Sequence, residues 1–382
     1  MAPVEPTPAE LQQRFHEWAS ENRDLFIDAQ IGHASNDFDE ALGHEMAFQR
    51  AIWDADLTRW GWPEFIGGLG GSATLRAALY EQVALEGFRI PRTMLTLETL
   101  GPAMCKHAPE VAATYLGACA SGKEAWCQGF SEPEAGSDLA SLRCKAVPDG
   151  EGWRVSGQKL WSSVGTVASK IAMLVRTGEA GHKGISMMLL DMDAEGVDAR
   201  ATRAASGLNE FTEEFFDNVY VGPDRLIGEL NRGWYVAMDL LQWERGMYAF
   251  QEQAQLLVLL AKCAAHVAPD DVTTRRQIEE AWTMLMALRA KSASTVKKLA
   301  AGEMPGPEVS VDKILLAQSA QLVHDIEMAI DPVTFTLGDE RHDETVRGEW
   351  FYTRAASIYG GAIDVQRGIV AERVLGLPRS AR

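Results

Sequence analysis

The chain has 382 residues, of which 46% are hydrophobic, so it can bury substantial apolar cores in two or three packed units. Its formal charge of −18 at pH 7 argues against nonspecific attraction to nucleic acid or to an anionic membrane surface. Cys105, Cys119, Cys127, Cys144 and Cys263 are odd in number and scattered without metal-ligand spacing, which fits reduced thiols better than a disulfide framework. Residues 1–15 carry neither the apolar core of a signal peptide nor an Arg-rich amphipathic presequence, and no stretch is long enough to span a bilayer. The expectation is a cytoplasmic, bacterial protein with no membrane insertion.

From Ala9 the pattern is helical, with Leu11, Phe15 and Trp18 on one face, and a second helical run covers residues 37–60. Residues 61–71 hold too many glycines, with Pro63, for a regular element, and no Gly-Lys-Ser/Thr follows to make them a nucleotide loop. Ser72 can cap a helix over 74–86, and 93–121 reads as helix broken at Gly101-Pro102. At Gly122 the texture changes. Strand-like segments at 142–146, 152–156, 170–176, 184–191 and 214–221 are separated by turn signals such as Pro148-Asp149-Gly150 and Gly181-His182-Lys183-Gly184, with His182 read as a solvated turn residue. Helical patterns return over 234–263, 275–301 and 309–330. Residues 331–348 are polar and poorly periodic and read as a loop, and 349–376 closes the chain around Gly360-Gly361.

Within the β-rich part, the run Phe130-Ser131-Glu132-Pro133-Glu134-Ala135-Gly136-Ser137-Asp138 is a loop of small and polar residues whose backbone N–H groups and hydroxyls can approach a ligand closely. Gly157-Gln158-Lys159-Leu160-Trp161-Ser162-Ser163 then reads as a strand edge carrying a large flat ring beside two hydroxyls, an edge suited to a flat aromatic ligand.

Together these two runs resemble the acyl-CoA dehydrogenase family, whose flavin-binding signature has the form Thr/Ser-Glu-Pro-x-Ala-Gly-Ser-Asp followed by Lys-x-Trp-x-Ser/Thr. The resemblance extends from Trp62-Pro63-Glu64 to Gln366-Arg367 and Ala371-Glu372-Arg373, and is weakest between about Pro269 and Arg347. It implies an α+β fold with an N-terminal helical domain (1–121), a middle β-barrel-like domain (122–232) and a C-terminal four-helix-bundle-like domain (233–382). It also implies FAD as cofactor, an acyl-CoA thioester as substrate, and an electron-transfer flavoprotein or similar acceptor. Oligomerisation, either with itself or with a second family member, is expected as well.

For the flavin, the resemblance puts Trp161 against the ring, Ser163 near N5 beside Ser162, and Ser131 on the pyrimidine side. Gln128, Gly129 and Phe130 line the ring with their backbones, Ser137 faces the CoA or pyrophosphate end, and Asp364 joins the cofactor set. The family's base is often the Glu of Tyr-Glu-Gly-Thr near the C-terminus, but here the run is Tyr359-Gly360-Gly361-Ala362 and Gly360 cannot take a proton. In the isovaleryl-CoA and long-chain branches the base instead precedes an arginine on the helix after the β domain, and Glu244-Arg245 match that pair. A side chain missing at Gly360 leaves room for that carboxylate, so Glu244 is the expected base, with Arg245 and Gly360 beside the substrate.

Two family motifs for the flavin's adenosine end, Arg-x-x-Phe-Gly and Gln-x-x-Gly-Gly-x-Gly, are not intact; residues 268–281 and 336–349 stand in their places, with Arg275 or Arg276 as substitutes that cannot be placed from sequence. Arg143, Lys145 and Arg245 are candidates for meeting the anionic CoA. Two alternatives to dehydrogenation stay open: other flavin chemistry of an oxidase or monooxygenase kind, and a flavin-poor structural subunit of a heteromeric dehydrogenase.

Overall fold

Thr7 accepts from the backbone N–H of Glu10 while the Glu10 carboxylate accepts from Thr7, so the first helix begins on a reciprocal cap. The computed structural model describes residues 4–379 except 32, 34, 36 and 339. The N-terminal part comprises α1 (Pro8–Asn22), α2 (Phe38–Asp54), α3 (Ala73–Leu85) and α4 (Arg92–His107), followed by α5 (Pro109–Val111), a π-helical turn (Ala112–Leu116) and α6 (Gly117–Ala120). Ser72 caps α3 by accepting from the Thr74 N–H. The second helix ends at Asp54, six residues earlier than the pattern suggested, because the chain turns through a left-handed Asp56.

The expected break at Gly101-Pro102 is absent: α4 runs through it and stops at Ala108-Pro109. An interior proline costs about 3 kcal/mol. Burying Leu97, Leu100, Ala103 and Met104 in one apolar cluster is worth more, at about 1.5–3 kcal/mol per large side chain.

The middle part is one eight-stranded sheet: β1 (Trp126–Gly129), β2 (Lys145–Asp149), β3 (Gly152–Ser163), β4 (Lys170–Arg176), β5 (Ile185–Asp191), β6 (Val197–Thr202), β7 (Phe211–Val221) and β8 (Leu226–Ile227). The order is β6-β7-β3-β2-β4-β5-β8, with β1 parallel to β4. Strands β1, β6 and β8 were not expected: β1 and β8 are too short to show alternation, and β6 carries little apolar residue on either face. Strand β3 is not an edge along its whole length. Its first half pairs with both β2 and β7, whereas Gly157 to Ser163 pairs only with β7.

The C-terminal part comprises α7 (Gly233–Trp243), a π-helical turn (Glu244–Tyr248), α8 (Ala249–His266), α9 (Val272–Ala300), α10 (Ser310–Ile330), α11 (Pro332–Leu337), α12 (Arg341–Arg354) and α13 (Ile363–Ile369), then a π-helical turn over Val370–Val374. Residues 331–348 are therefore largely helical and not a loop. Asp331 caps α11 through the Thr334 N–H, Glu340 and Asp343 form a capping box on α12, and α12 packs on α10, so caps and tertiary contact override a polar, aperiodic sequence. Helix α10 is the centre of this bundle, touching α8, α9, α12 and α13. All five cysteines are free, with Cys127 buried. Among the described residues no helix is long and apolar enough to cross a membrane.

The N-terminal core is held around one buried ion pair. Arg76 Nε lies 2.7 Å from Glu98 Oε1, Tyr80 donates to the same carboxylate, and the Arg76 guanidinium covers the Trp62 ring at 4.0 Å. Glu98→Ala leaves Arg76 as an unpaired buried cation and is expected to cost about 3–5 kcal/mol, read as a lower urea midpoint at unchanged slope.

Candidate active site

The loop after β1 and strand β3 are pinned together by charge. Lys159, fully buried in the middle of β3, donates to Glu132 Oε1 at 2.8 Å and to the Phe130 carbonyl at 3.2 Å. Glu132 also accepts from the backbone N–H groups of Arg143 (2.6 Å) and Cys144 (3.0 Å), so its carboxylate closes the loop on itself. The Leu160 N–H donates to the Ser131 carbonyl at 3.0 Å. These bonds use the free half of β3 to carry the loop. A β-bulge between Leu160 and Ser162 then puts Trp161 in the left-handed region, φ 69°, with its ring turned outward and 55% exposed.

Around that ring the polar groups are divided. Ser162 points inward and donates to Glu214 Oε2 at 3.0 Å, and burial pushes the Glu214 carboxyl up to about 8. Thr212 Oγ1 and Glu214 Oε1 are buried without a hydrogen-bond partner. Ser163 and Ser131 are half-buried beside the exposed indole. An aromatic series leads away from Trp161: Phe211 edge-on at 5.8 Å, Tyr352 stacked on Phe211 at 6.2 Å, Tyr359 at 5.7 Å from Tyr352, and the Tyr359 hydroxyl 3.3 Å from that of Tyr248.

Tyr248 ends the π-helical turn that begins with Glu244. Its placement starts at Gly233, where a Cβ would lie 2.3 Å from the Ser186 carbonyl carbon; only glycine lets α7 begin this close to β5. The wider turn adds a residue to the helical repeat and rotates the first turn of α8 relative to α7, a feature found often at functional sites. Glu244 is half-buried. Burial raises its carboxyl above the ordinary range, while Arg245, Lys313 and a side-chain hydrogen bond from Gln128 oppose that rise.

At Gly360, φ 63°, an added Cβ would lie 2.8 Å from Glu244 Oε1 and 3.7 Å from Lys313 Nζ. The carboxylate thus occupies the space beside a residue that has no side chain. At Gly361 a Cβ would sit 3.6 Å from an Arg245 terminal nitrogen, and Arg245 Nε is buried with no hydrogen-bond partner among the described residues. Burial lowers the Arg245 pKa, with Glu244 opposing.

Gln128, Glu244, Arg245 and Gly360 therefore converge, and Trp161 reaches them through the aromatic series. Gly129 is buried, a Cβ there meeting Ile171 at 2.6 Å, and Phe130 is buried beside it. Ser137 is exposed on the loop. Asp364 stands apart: its side chain is 94% exposed and faces Arg367 at 3.4 Å. Arg143 pairs with Glu134 at 2.6 Å, Lys145 is exposed, and Arg275 and Arg276 lie exposed at the start of α9. His182 is exposed, with its ring 4.3 Å from that of Trp234.

Sequence reasoning missed three groups: the Glu132–Lys159 pair, the tyrosines 248, 352 and 359 acting together, and Lys313. A lysine directly before the apolar run Ile314-Leu315-Leu316 of α10 was the available sign of the last.

Residues 127–219 match the acyl-CoA dehydrogenase middle domain and residues 231–375 the acyl-CoA dehydrogenase C-terminal domain. The acyl-CoA dehydrogenase IpdE1 of Mycobacterium tuberculosis is 37% identical over 351 residues, spanning 90% of each chain. The chain belongs to the acyl-CoA dehydrogenase family. Among solved structures of that fold, the Tcur3481-Tcur3483 steroid ACAD superposes with a TM-score of 0.81 at 25% identity over 99% of each chain. The ChsE4-ChsE5 complex from Mycobacterium tuberculosis superposes with a TM-score of 0.78 at 23% identity over the full length of both chains.

Acyl-CoA dehydrogenases typically carry FAD, and the ring end of the site fits it: an outward indole, two half-buried serines, and orphan polar atoms on Thr212 and Glu214. Lys159→Met would leave Glu132 charged, buried and short of its cation. A loss of about 3–5 kcal/mol is expected, measured as a lower urea midpoint at unchanged slope.

Proposed function

We propose that this enzyme introduces an α,β double bond into an acyl-CoA thioester, with Glu244 as the base that takes the α-proton. The observation that carries the reading is the carboxylate of Glu244 lying where a side chain at position 360 would otherwise stand. A thioester α-hydrogen is only weakly acidic, so its acceptor must be a desolvated carboxylate, and burial gives Glu244 that character. Arg245 brings a fixed cation with an unused donor to the same place, suited to charge that develops on the thioester side.

Bound FAD would supply the hydride acceptor for the β-hydrogen, with an electron-transfer flavoprotein or similar partner to reoxidise it. Trp161, Ser131 and Ser163 would hold the ring, with the backbones of Gln128, Gly129 and Phe130 along it. Ser162 would contribute through Glu214, to which it is already bonded. Ser137, exposed on the loop, would meet the CoA end. Phe211, Tyr352 and Tyr359 would form the aromatic side of the space between ring and base. A bulky acyl group is the favoured substrate class, supported by the likeness to a structure described as a steroid ACAD.

A second reading concerns assembly. The adenosine-end motifs are not intact, and two of the structural relatives carry two chain names each, so a partner of the same family would complete the flavin site. Ile358, Leu375 and Leu377, all exposed near the C-terminus, offer apolar surface for it. Expressed alone, the chain would then bind flavin weakly and gain it on mixing with the partner; full flavin content in the isolated chain defeats this reading.

The reaction itself is tested by anaerobic titration with acyl-CoA esters. The visible flavin band is expected to bleach with the wild type and to persist with Glu244→Gln, whose rate falls by about 10²–10⁴-fold; equal bleaching by the variant removes Glu244 as the base. Because only the ionised carboxylate accepts a proton, kcat/KM is expected to rise with pH through an inflection above the ordinary glutamate value of 4.5. Gly360→Ala puts a Cβ against the carboxylate at a left-handed backbone position and is expected to lower kcat by about a hundredfold, read by the same bleaching rates.

A further inference from the structure

Lys313 lies on α10 with only 3% of its surface exposed, and among the described residues no carboxylate comes within ion-pair distance of it. Its ammonium donates to the Ala356 carbonyl at 2.9 Å and stands 4.1 Å from the centroid of the Tyr359 ring. Those two contacts fix the head but supply no negative charge. The point that a Cβ of residue 360 would occupy lies 2.8 Å from Glu244 Oε1 and 3.7 Å from Lys313 Nζ, so the lysine and the carboxylate face one another across the missing side chain.

We propose that Lys313 is the positioning residue that keeps Glu244 ionised and aimed in its desolvated pocket. A direct ion pair would tie up the carboxylate oxygens and oppose protonation by substrate; a cation held one small gap away stabilises the charge and leaves the oxygens free. Tyr359 links the two, since its ring carries the ammonium and its hydroxyl meets Tyr248 on the same π-helical turn as Glu244. Gly360 is what lets the pair approach: any Cβ there would fill the gap. This inference rests on Glu244 being the base.

The other charges near that turn are engaged elsewhere. Asp312, next to Lys313 in sequence, accepts from Lys291 and Thr295 of α9; Glu98 of α4 is bonded to Arg76; Asp239 of α7 meets Lys106 and His107. Glu252 of α8 lies in a separate cavity of about 350 Å³ with Arg89 and Glu349. Arg245 and Lys313 are the charges that act on Glu244, with Gln128 as the neutral donor from β1. Burial lowers the lysine to about 8, so it stays largely protonated at neutral pH.

The test uses the full-length protein with its flavin, in wild-type, Lys313→Met and Lys313→Arg forms. Removing the cation raises the carboxyl pKa, so the acid limb of the kcat/KM profile for Lys313→Met is expected to move toward alkaline pH by about one unit, with the deficit shrinking as pH rises. Lys313→Arg is expected to restore the wild-type limb. A packing defect alone would lower the whole profile without moving its inflection, and an unmoved inflection in Lys313→Met overturns the proposal. The converse measurement needs no turnover: in protein labelled with [ε-13C]lysine, the Lys313 signal, identified by its loss in Lys313→Arg, is expected to titrate about one unit lower in Glu244→Gln than in wild type. An unchanged lysine titration refutes the coupling even if Glu244 is the base. A shifted lysine titration with full bleaching by Glu244→Gln refutes the base and leaves the electrostatic pair standing.

Discussion

The buried pair of Glu132 and Lys159 is the contact on which the site's geometry depends. Two charges removed from water are costly unless their lone pairs and protons find partners, and here most do: the carboxylate accepts from two backbone N–H groups and the ammonium, and the ammonium donates to a carbonyl as well. Because Lys159 belongs to β3 and Glu132 to the loop after β1, satisfying those charges fixes one to the other. The bulge one residue beyond then turns Trp161 outward instead of into the sheet. An apolar pair at these positions could match the stability but would not specify the register of loop on strand, which is what aims the indole.

The second constraint is the space beside Glu244. Helix α7 is set against β5 by Gly233, the π-helical turn rotates the chain at the acid, and Gly360 leaves a gap that the carboxylate enters. Each condition alone is ordinary, and the three together decide which way the side chain points. Desolvation and local cations then act in opposite directions on one group. Burial alone would leave a neutral acid unable to accept a proton, whereas full ion pairing would leave an ion too stable to accept one, so a base at this position needs both effects in partial measure.

Much of this was legible in the sequence where residue type and spacing act locally. The small-residue loop, the Lys159-to-Ser163 run, the order of helices, strands and helices, and the relation between Gly360 and Glu244 could all be read from letters, the last because a deletion of volume at one place implies an occupant from another. What escaped depends on partners far along the chain. The buried pairing of Lys159 could not be read locally because Glu132 is 27 residues away. Helix α12 looked like a loop because its stability comes from a cap and from α10 rather than from its own apolar period. Lys313 carries no local signal of its role, because Ala356, Tyr359 and Glu244 reach it only through the fold. Asp364 lies beside the family-like Gln366-Arg367 and carries an exposed side chain that faces Arg367.

The net charge of −18 sets a last problem for the chemistry. A CoA thioester is an anion, and an acidic surface slows its approach, so the attraction must be short-ranged and internal. Arg143, the nearest cation of the loop by sequence, is committed to Glu134 on an exposed surface, where such a pair adds little. Arg245 and Lys313 are different: Lys313 and the Arg245 Nε are screened from water, and among the described residues neither side chain has a carboxylate in ion-pair contact to cancel it. With Glu244 ionised the cluster carries one surplus positive charge. That surplus suits a substrate whose thioester gains negative charge as its proton leaves, and the loss of that charge into the product would weaken the hold on it.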